Sequence, residues 1–432
     1  MSMKFVSIIP GSGDSFYCEN CLRDLTLARA LRKAGHDVLC VPLYLPPAGL
    51  EPRRGGMGPI FFGGINVYLQ QKLAVFRRTP RFIDRLFDSR TLLRWAGHFS
   101  GMTSARDLAQ TMLSMLKGPQ GNQVKELQRL TDYLRRGDRP DFIVLSDALL
   151  LGLALPLREA LLARVICFLQ DEDEFVDALP TQWAQQVWQE MVRQAAHADA
   201  FVASSLYYAQ QMRTRLQLAA DCVEVIYDAV ECSRPPAAHA GEPVIGFLSR
   251  LCGFKGLDML LEAFLSLRAQ ERFANVRLRA FGGQTSADGA FLRSLRRRIA
   301  DAGATAAVEF GPNVQGEHLH AFLAGLTVLS VPSRRAEAAG LCVLEAMAAG
   351  VPVVQPSSGV FPELIERTGG GVLFEPESVE SLTAALGGVL GDVAAARRMG
   401  LAGRQAVMEH FSAAKAAGEL ERICREVTTV LP

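Results

Sequence analysis

Residues 332–354, which contain Glu337 and Glu345 eight residues apart, are the segment that most clearly predicts chemistry in this sequence, whereas two glutamates at this spacing would predict nothing by themselves. Within this segment a strand is predicted to end at Pro332 and a helix to start at Gly340. The free amides at a helix start carry partial positive charge and form an anion site, and Gly340 lets a phosphate approach the backbone. Because Glu337 precedes that anion site and Glu345 lies just over one turn beyond it, the two carboxylates are predicted to face different ends of one ligand.

A second informative pair, Arg250 and Lys255, lies in residues 249–256. This segment follows a predicted strand and precedes a helix predicted to begin near Leu257, so a forked guanidinium and an ammonium converge on one loop. Such a loop can clamp a pyrophosphate. Taken alone, two basic residues in a loop more often form a solvated surface.

Together these segments resemble the signature of the family 4 retaining glycosyltransferases of the GT-B fold, the glycosyl transferases group 1. Residues 249–256 are similar to the family's Gly-Arg-Leu-x-x-x-Lys-Gly loop, with Ser249 in place of the first glycine. The resemblance covers nearly all of residues 244–376. Three more segments are similar to the family's loops around the nucleotide, namely residues 281–283, 310–314 and 358–364.

The resemblance implies a hexosyltransferase of the EC 2.4 class, which moves a sugar from a nucleotide diphosphate-sugar to an acceptor hydroxyl with retention at the anomeric carbon. It implies that Glu345 binds the ribose, Glu337 the donor sugar, Arg250 and Lys255 the diphosphate, and residues 310–314 the base. The catalytic residues that it implies are Glu337, Arg250, Lys255 and Gln170. The donor-binding residues that it implies are Glu345, Gly340, Leu341, Gly311, Asn313, Val314 and Gly13. Neither a cofactor nor a metal ion is expected.

The sequence departs from the family pattern at two places. Many relatives carry a histidine that contacts the donor sugar at the position of Gln170, and a Pro-Asn-Gly segment where this chain has residues 227–229. Two functions therefore stay open, an active transferase and a catalytically impaired sugar-nucleotide-binding protein of the same fold. The acceptor, which could be a sugar, a lipid or a small molecule, is not predicted.

Short runs rich in Val, Ile and Phe alternate with longer stretches of helical periodicity, which is typical of parallel sheets covered by crossover helices. The fold class is therefore α/β, with two doubly wound, Rossmann-like domains of the GT-B type that are expected to face each other across a cleft. The predicted domains are an acceptor-side domain over residues 1–234, a linker over 235–243, a nucleotide-sugar domain over 244–410, and a helix over 411–432 that could return to the first domain. The predicted strands are Lys4 to Ile9, Asp37 to Leu43, Phe142 to Ser146, Val165 to Gln170, Phe201 to Ser204, Val223 to Tyr227, Val244 to Leu248, Val276 to Phe281, Val308 to Phe310, Val328 to Val331, Val351 to Val354 and Val372 to Phe374.

Composition excludes several classes of protein. A formal net charge of +1 gives no footprint for binding nucleic acid. The sequence shows no secretory signal or membrane-spanning run, and nine cysteines without a signal favour a reducing cytoplasm. A dehydrogenase is disfavoured because no Gly-x-Gly-x-x-Gly joins a strand to a helix.

Three further patterns have more than one interpretation each. Cys18 and Cys21 could form a redox pair or half a zinc site, but are more simply packing residues at a helix start. Asp171 and Asp173 could hold a divalent ion, although an acidic helix start is the simpler interpretation. Residues 76–96, rich in arginine and large apolar side chains, could contact an anionic membrane surface or an acidic acceptor, or form an amphipathic helix packed on its own domain.

Overall fold

A computed structural model describes residues 2–11, 19–44, 61–62, 105–231 and 241–429. The chain forms two compact units. The first consists of the described parts of Met1–Asp14, Asn20–Ile226 and Ala417–Pro432, and the second of those of Ser15–Glu19 and Tyr227–Ala416. Elements are numbered below in chain order over the described residues.

The first unit is built on a six-stranded sheet in the order β2-β1-β3-β4-β5-β6. All neighbouring strands in it are parallel, and β3 and β5 are buried along their whole length, as expected for a sheet covered on both faces. The strands are β1 (Lys4–Ile9), β2 (Asp37–Pro42), β3 (Phe142–Leu145), β4 (Arg164–Leu169), β5 (Ala200–Ala203) and β6 (Val223–Val225).

The helices of the first unit connect these strands. They are α1 (Glu19–Lys33), α2 (Ala105–Leu116), α3 (Val124–Arg135), α4 (Ala154–Leu161), α5 (Glu172–Val176), α6 (Thr181–Ala195) and α7 (Leu206–Arg215). Serine and aspartate side chains cap several of the turns that follow strands. The Ser205 hydroxyl accepts from the backbone amide of Tyr208 at the start of α7, and Asp147 accepts from the amide of Leu149 in the 3-10 turn after β3.

The second unit repeats this plan with a six-stranded parallel sheet in the order β12-β11-β10-β7-β8-β9. Its strands are β7 (Val244–Leu248), β8 (Arg277–Phe281), β9 (Val308–Gly311), β10 (Val328–Leu329), β11 (Val353–Pro356) and β12 (Gly371–Phe374). Its helices are α8 (Leu257–Arg268), α9 (Gly289–Asp301), α10 (Gly316–Ala324), α11 (Leu341–Ala348), α12 (Phe361–Thr368), α13 (Val379–Gly391) and α14 (Val393–His410).

The last described helix, α15 (Ala413–Thr429), continues from the second unit, and its residues from Ala417 onward belong to the first. Buried Leu420 and Ile423 form its apolar face. On its polar side, Nε2 of His36 donates to Oε1 of Glu421 at 2.8 Å, which is consistent with the amide of Met3 donating to Nδ1 of the same ring. The helix is therefore held by both apolar and polar contacts to the first unit.

All twelve strands predicted from the alternation of apolar runs are confirmed, with bounds that differ by at most two residues. Several predicted features lie outside the described residues, namely Gly13, Cys18, residues 76–96 and most of the 235–243 linker. Cys21 is buried in α1. Among the helices that the structure describes, none is by itself long and apolar enough to cross a membrane, and one pair, α13 and α14, meets that criterion only in combination and with a bend of 98° between its members.

Candidate active site

The loops that follow β7, β8 and β9 meet at one edge of the second sheet, because parallel strands all end on the same side. Backbone hydrogen bonds join them. The amide of Leu251 donates to the carbonyl of Gly283 at 2.9 Å, and the amide of Gly282 donates to the carbonyl of Gly311 at 3.3 Å. Residues 249–256, 281–283 and 310–314, which the sequence analysis singled out separately, thus form one continuous surface.

Arg250 is held by an acidic partner that the sequence analysis missed. Its guanidinium lies 3.1 Å from Oδ2 of Asp288 and also donates to the hydroxyl of Thr285. Thr285 and Asp288 form a reciprocal capping box at the turn before α9. Burial by itself raises the pKa of Asp288, but the hydrogen bonds from Thr285 and the Arg250 charge outweigh it and lower the pKa. The Thr-x-x-Asp spacing was the signal in the sequence that could have identified this partner.

Lys255 and Glu337 are paired with each other. The ammonium of Lys255 lies 2.7 Å from both carboxylate oxygens of Glu337, and the two side chains are only 15% and 14% exposed. The loop that carries Glu337 is held from the other side, because the amide of Val360 donates to the Glu337 carbonyl at 3.0 Å. Gly359 makes this approach feasible: it has a φ of +60°, and a Cβ on it would lie 2.5 Å from the Glu337 carbonyl oxygen.

Three cations surround the ring of Phe254. The charged groups of Arg250, Lys255 and Arg335 lie 5.4, 5.9 and 5.6 Å from its centroid. The predicted convergence of Arg250 and Lys255 on one loop is therefore observed, and Arg335 is a third cation that the sequence analysis did not single out. This group of positive charges around the Phe254 ring, just before the start of α8, is suited to an anion with several negative oxygens.

The predicted helix start is observed at α11, where Gly340 is the N-cap residue with a φ of +83° and Leu341 is the first helical residue. Gly340 has no side chain with which to cap this start. Glu345 lies in the second turn of α11 and is partly exposed, whereas every other residue of the helix is buried. The helix therefore carries its amino-terminal end and one partly exposed carboxylate in the order predicted for a ligand with a phosphate and a polar end.

The predicted base segment begins at the end of β9. Gly311 packs against Phe281, with a Cβ position only 2.3 Å from that ring, and Val314 is buried. Oδ1 of Asn313 is buried and has no hydrogen-bond partner within the described ranges. A buried amide oxygen without a partner is rare in proteins, so Asn313 is a candidate for accepting a hydrogen bond from a ligand.

Gln170 lies in the first unit, at the end of β4, and is only 2% exposed. Its Nε2 donates to the carbonyl oxygen and to the hydroxyl of Ser146, the latter at 3.2 Å. Its backbone amide donates to Oε2 of Glu172 at 2.8 Å. The amide group is thus engaged inside the unit, and its role toward a donor sugar stays a prediction.

Three buried carboxyl groups belong to the network that contains Gln170: Glu172 accepts from its backbone amide, Asp24 accepts from the hydroxyl of Ser146, and Asp147 follows Ser146 in the chain. Glu172 accepts hydrogen bonds from the backbone amide of Ala148 and from the hydroxyl of Tyr208, each at 2.7 Å. Burial raises the pKa of Asp24 and of Glu172. Burial, reinforced by the nearby charges of Glu172 and Asp24, raises the pKa of Asp147 to about 8. The sequence analysis missed this cluster, because no two of its members lie close together in the sequence.

The acidic residues considered for metal binding are engaged differently. Oδ1 of Asp173 lies 2.9 Å from the Tyr208 hydroxyl oxygen, and its Oδ2 accepts from Nε2 of Gln211 at 2.6 Å. Asp171 precedes α5 with a φ of +57°. Across the described part of the chain, no three His, Cys, Asp or Glu side chains are grouped so that they could hold a metal ion.

The arrangement at the edge of the second sheet can be compared with known proteins. Residues 231–406 match the sequence model of the family described as Glycosyl transferases group 1. The GDP-mannose-dependent alpha-(1-6)-phosphatidylinositol monomannoside mannosyltransferase of Mycolicibacterium smegmatis is 35% identical over 175 residues, which is 39% of this chain and 44% of that protein. The chain thus spans less than half the length of this relative. The MMP alpha-(1->4)-mannosyltransferase of Mycolicibacterium hassiacum is 25% identical over 401 residues, 89% of each protein.

Among solved structures, sucrose-phosphate synthase from Thermosynechococcus elongatus superposes with a TM-score of 0.70 at 18% identity, covering 99% of this chain and 100% of that one. At this identity the likeness shows the fold alone, and the predicted GT-B fold is confirmed. The part of the chain that matches the family model, residues 231–406, is thus similar to the group 1 glycosyltransferases.

We predict that Asp147→Asn stabilises the protein increasingly as the pH rises. A carboxyl group with a raised pKa keeps its proton in the folded state, while the unfolded chain loses it above about pH 4. The stability that Asp147 contributes therefore falls between about pH 4 and its folded pKa of about 8. Asparagine cannot ionise, and its amide oxygen can still accept from the backbone amide of Leu149.

Thermal unfolding at pH 5 and pH 8 checks this prediction. The melting temperature of Asp147→Asn relative to the wild type should be higher at pH 8 than at pH 5. Asp301→Asn, the same exchange at an exposed position, is the control and should show no such difference. An identical shift of Asp147→Asn at both pH values would contradict a protonated Asp147.

Proposed function

We propose that the protein is a retaining glycosyltransferase that moves a sugar from a nucleotide diphosphate-sugar to an acceptor hydroxyl. The observation that carries the proposal is that Arg250, Lys255 and the start of α11 lie at the edge of the second sheet where its parallel strands end. A leaving nucleoside diphosphate develops negative charge, and these groups lie where they can stabilise it. The match of residues 231–406 to the family model and the similarity of 39% of the chain to a mannosyltransferase support the proposal.

The roles that we propose follow the two ends of the ligand. Arg250 and Lys255 hold the diphosphate together with the amides that follow Gly340, and Glu345 accepts hydrogen bonds from the ribose. Glu337 contacts the donor sugar. The segment that contains Asn313 holds the base, which its buried, unsatisfied amide oxygen supports.

The proposed chemistry needs no metal ion and no nucleophile from the protein. The enzyme orients the acceptor hydroxyl, and the leaving phosphate accepts the proton of that hydroxyl. Because one relative is named as GDP-mannose-dependent, GDP-mannose is the donor that we propose to test first. The acceptor is a hydroxyl compound that the amino-terminal unit recognises.

The alternative function is a sugar-nucleotide-binding protein that has lost transfer activity. One observation favours it: the Gln170 amide, at the position where relatives carry a histidine, is buried and donates to Ser146. Such a protein would bind nucleotide and show neither transfer nor hydrolysis of the donor. Incubation with GDP-mannose and measurement of the released GDP separates the two functions.

We expect a nucleoside diphosphate to stabilise the protein in the presence of a metal chelator, because the proposed diphosphate contacts are cations and amides. At a hundredfold excess over the dissociation constant, the free energy of unfolding should rise by about 2.7 kcal/mol. Thermal shift with GDP and with UDP, each with EDTA and with added magnesium, measures this. A shift that appears only with magnesium would contradict the metal-free proposal.

We expect Glu345→Ala to weaken both the nucleoside diphosphate and the full donor by roughly 1.5 to 3 kcal/mol, the range for a lost charge-assisted hydrogen bond. Calorimetric titration with GDP and with GDP-mannose measures both values. Glu366→Ala, which removes an exposed glutamate from α12, is the matched control and should change neither. Unaltered binding by Glu345→Ala would exclude its role at the ribose.

A further inference from the structure

The ion pair between Lys255 and Glu337 joins two residues that the proposed function assigns to different parts of one ligand. Both carboxylate oxygens lie 2.7 Å from the ammonium. The loops on either side are held by backbone hydrogen bonds, from the amide of Arg334 to the carbonyl of Phe254 at 2.9 Å and from Val360 to Glu337 at 3.0 Å. The backbone of these loops therefore brings the two residues together, and both side chains are mostly buried.

A diphosphate that approaches Lys255 meets Glu337 at the same point. An ammonium can donate three hydrogen bonds, so the lysine can either leave the carboxylate or share itself between the carboxylate and a phosphate. In the first case an ion pair is lost. In the second, two negative groups lie side by side with little water between them. Either way, the charge of Glu337 opposes the binding of a diphosphate.

A donor sugar changes this balance. Its hydroxyls can donate hydrogen bonds to the Glu337 carboxylate and replace the contact that Lys255 gives up. A free nucleoside diphosphate lacks the transferred sugar and supplies no hydroxyl at the position of Glu337. The carboxylate therefore keeps competing for Lys255. The same residue therefore helps the donor and hinders the product.

We propose that Glu337 selects the sugar-bearing donor over the free nucleoside diphosphate by competing for Lys255. This inference rests on the proposed function, since it takes the diphosphate to lie at Lys255 and the sugar at Glu337. It adds that the carboxylate speeds release of the nucleoside diphosphate once the sugar has been transferred, by recapturing the ammonium.

The test is the affinity of Glu337→Gln for GDP and UDP, measured by calorimetry at low ionic strength. The substitution keeps the shape of the side chain and removes its charge. Because the ion pair is largely shielded from solvent, we expect the nucleoside diphosphate to bind about three to ten times more tightly than to the wild type. GDP-mannose should gain less or lose affinity, so that the preference for donor over diphosphate falls. Glu366→Gln, an exposed glutamate on α12, serves as the matched control and should leave the affinities unaltered.

A double-mutant cycle with Lys255→Met separates the inference from the function on which it rests. The competition is supported if Lys255→Met weakens diphosphate binding and if Glu337→Gln tightens that binding less when added to Lys255→Met than when added to the wild type. If Lys255→Met weakens binding but Glu337→Gln does not tighten it in the wild type, the inference is wrong and the proposed diphosphate site stands. If Lys255→Met leaves binding unaltered, or the wild type binds neither GDP nor UDP, the proposed site itself is wrong and the inference falls with it. Circular dichroism establishes that each variant is folded. If Glu337→Gln does not fold, Glu337→Ala is a second variant that removes the charge.

Discussion

The parallel direction of the strands in the second sheet is the constraint on which the candidate site depends. It brings loops that are far apart in the sequence to one edge, where backbone hydrogen bonds such as that from Leu251 to Gly283 join them. Because backbone atoms make these joins, the framework does not depend on the charged side chains that it carries. A substitution at Glu337 or Glu345 therefore removes a charge while the loops that surround it keep their contacts.

The two ion pairs at this edge serve different purposes. Asp288 holds the Arg250 guanidinium and also closes a capping box with Thr285, so this carboxylate fixes a turn and orients the arginine. Within the described residues the Glu337 carboxylate makes no comparable capping contact, and it pairs with the ammonium of Lys255. An arginine can keep one carboxylate partner and still offer donors to a phosphate, because its guanidinium carries five of them. The lysine has fewer donors, which is why competition is expected at Lys255 and not at Arg250.

The sequence predicted the features that depend on local pattern. Apolar runs gave all twelve strands, and Gly340 followed by an apolar stretch gave the start of α11 and the position of Glu345 on it. The pairing partners were missed because they lie far away in the sequence, as Asp288 does from Arg250. Loop composition gives the kind of residue on each loop but not the rotamer that it adopts. For the same reason the burial of Gln170, which depends on contacts from β3 and the turn after it, was outside the reach of local pattern.

The residues proposed to hold the donor diphosphate and ribose lie in a different unit from Gln170. Arg250, Lys255, the start of α11 and Glu345 all belong to the second unit. Gln170 belongs to a buried network of the first unit, in which burial raises the pKa values of nearby carboxyl groups and Asp24 pairs with the buried guanidinium of Arg23. The Gln170 amide makes its hydrogen bonds within this network, to Ser146, and cannot ionise. The proposed donor site does not depend on these contacts, so only the measurement of transfer distinguishes an enzyme from a binding protein.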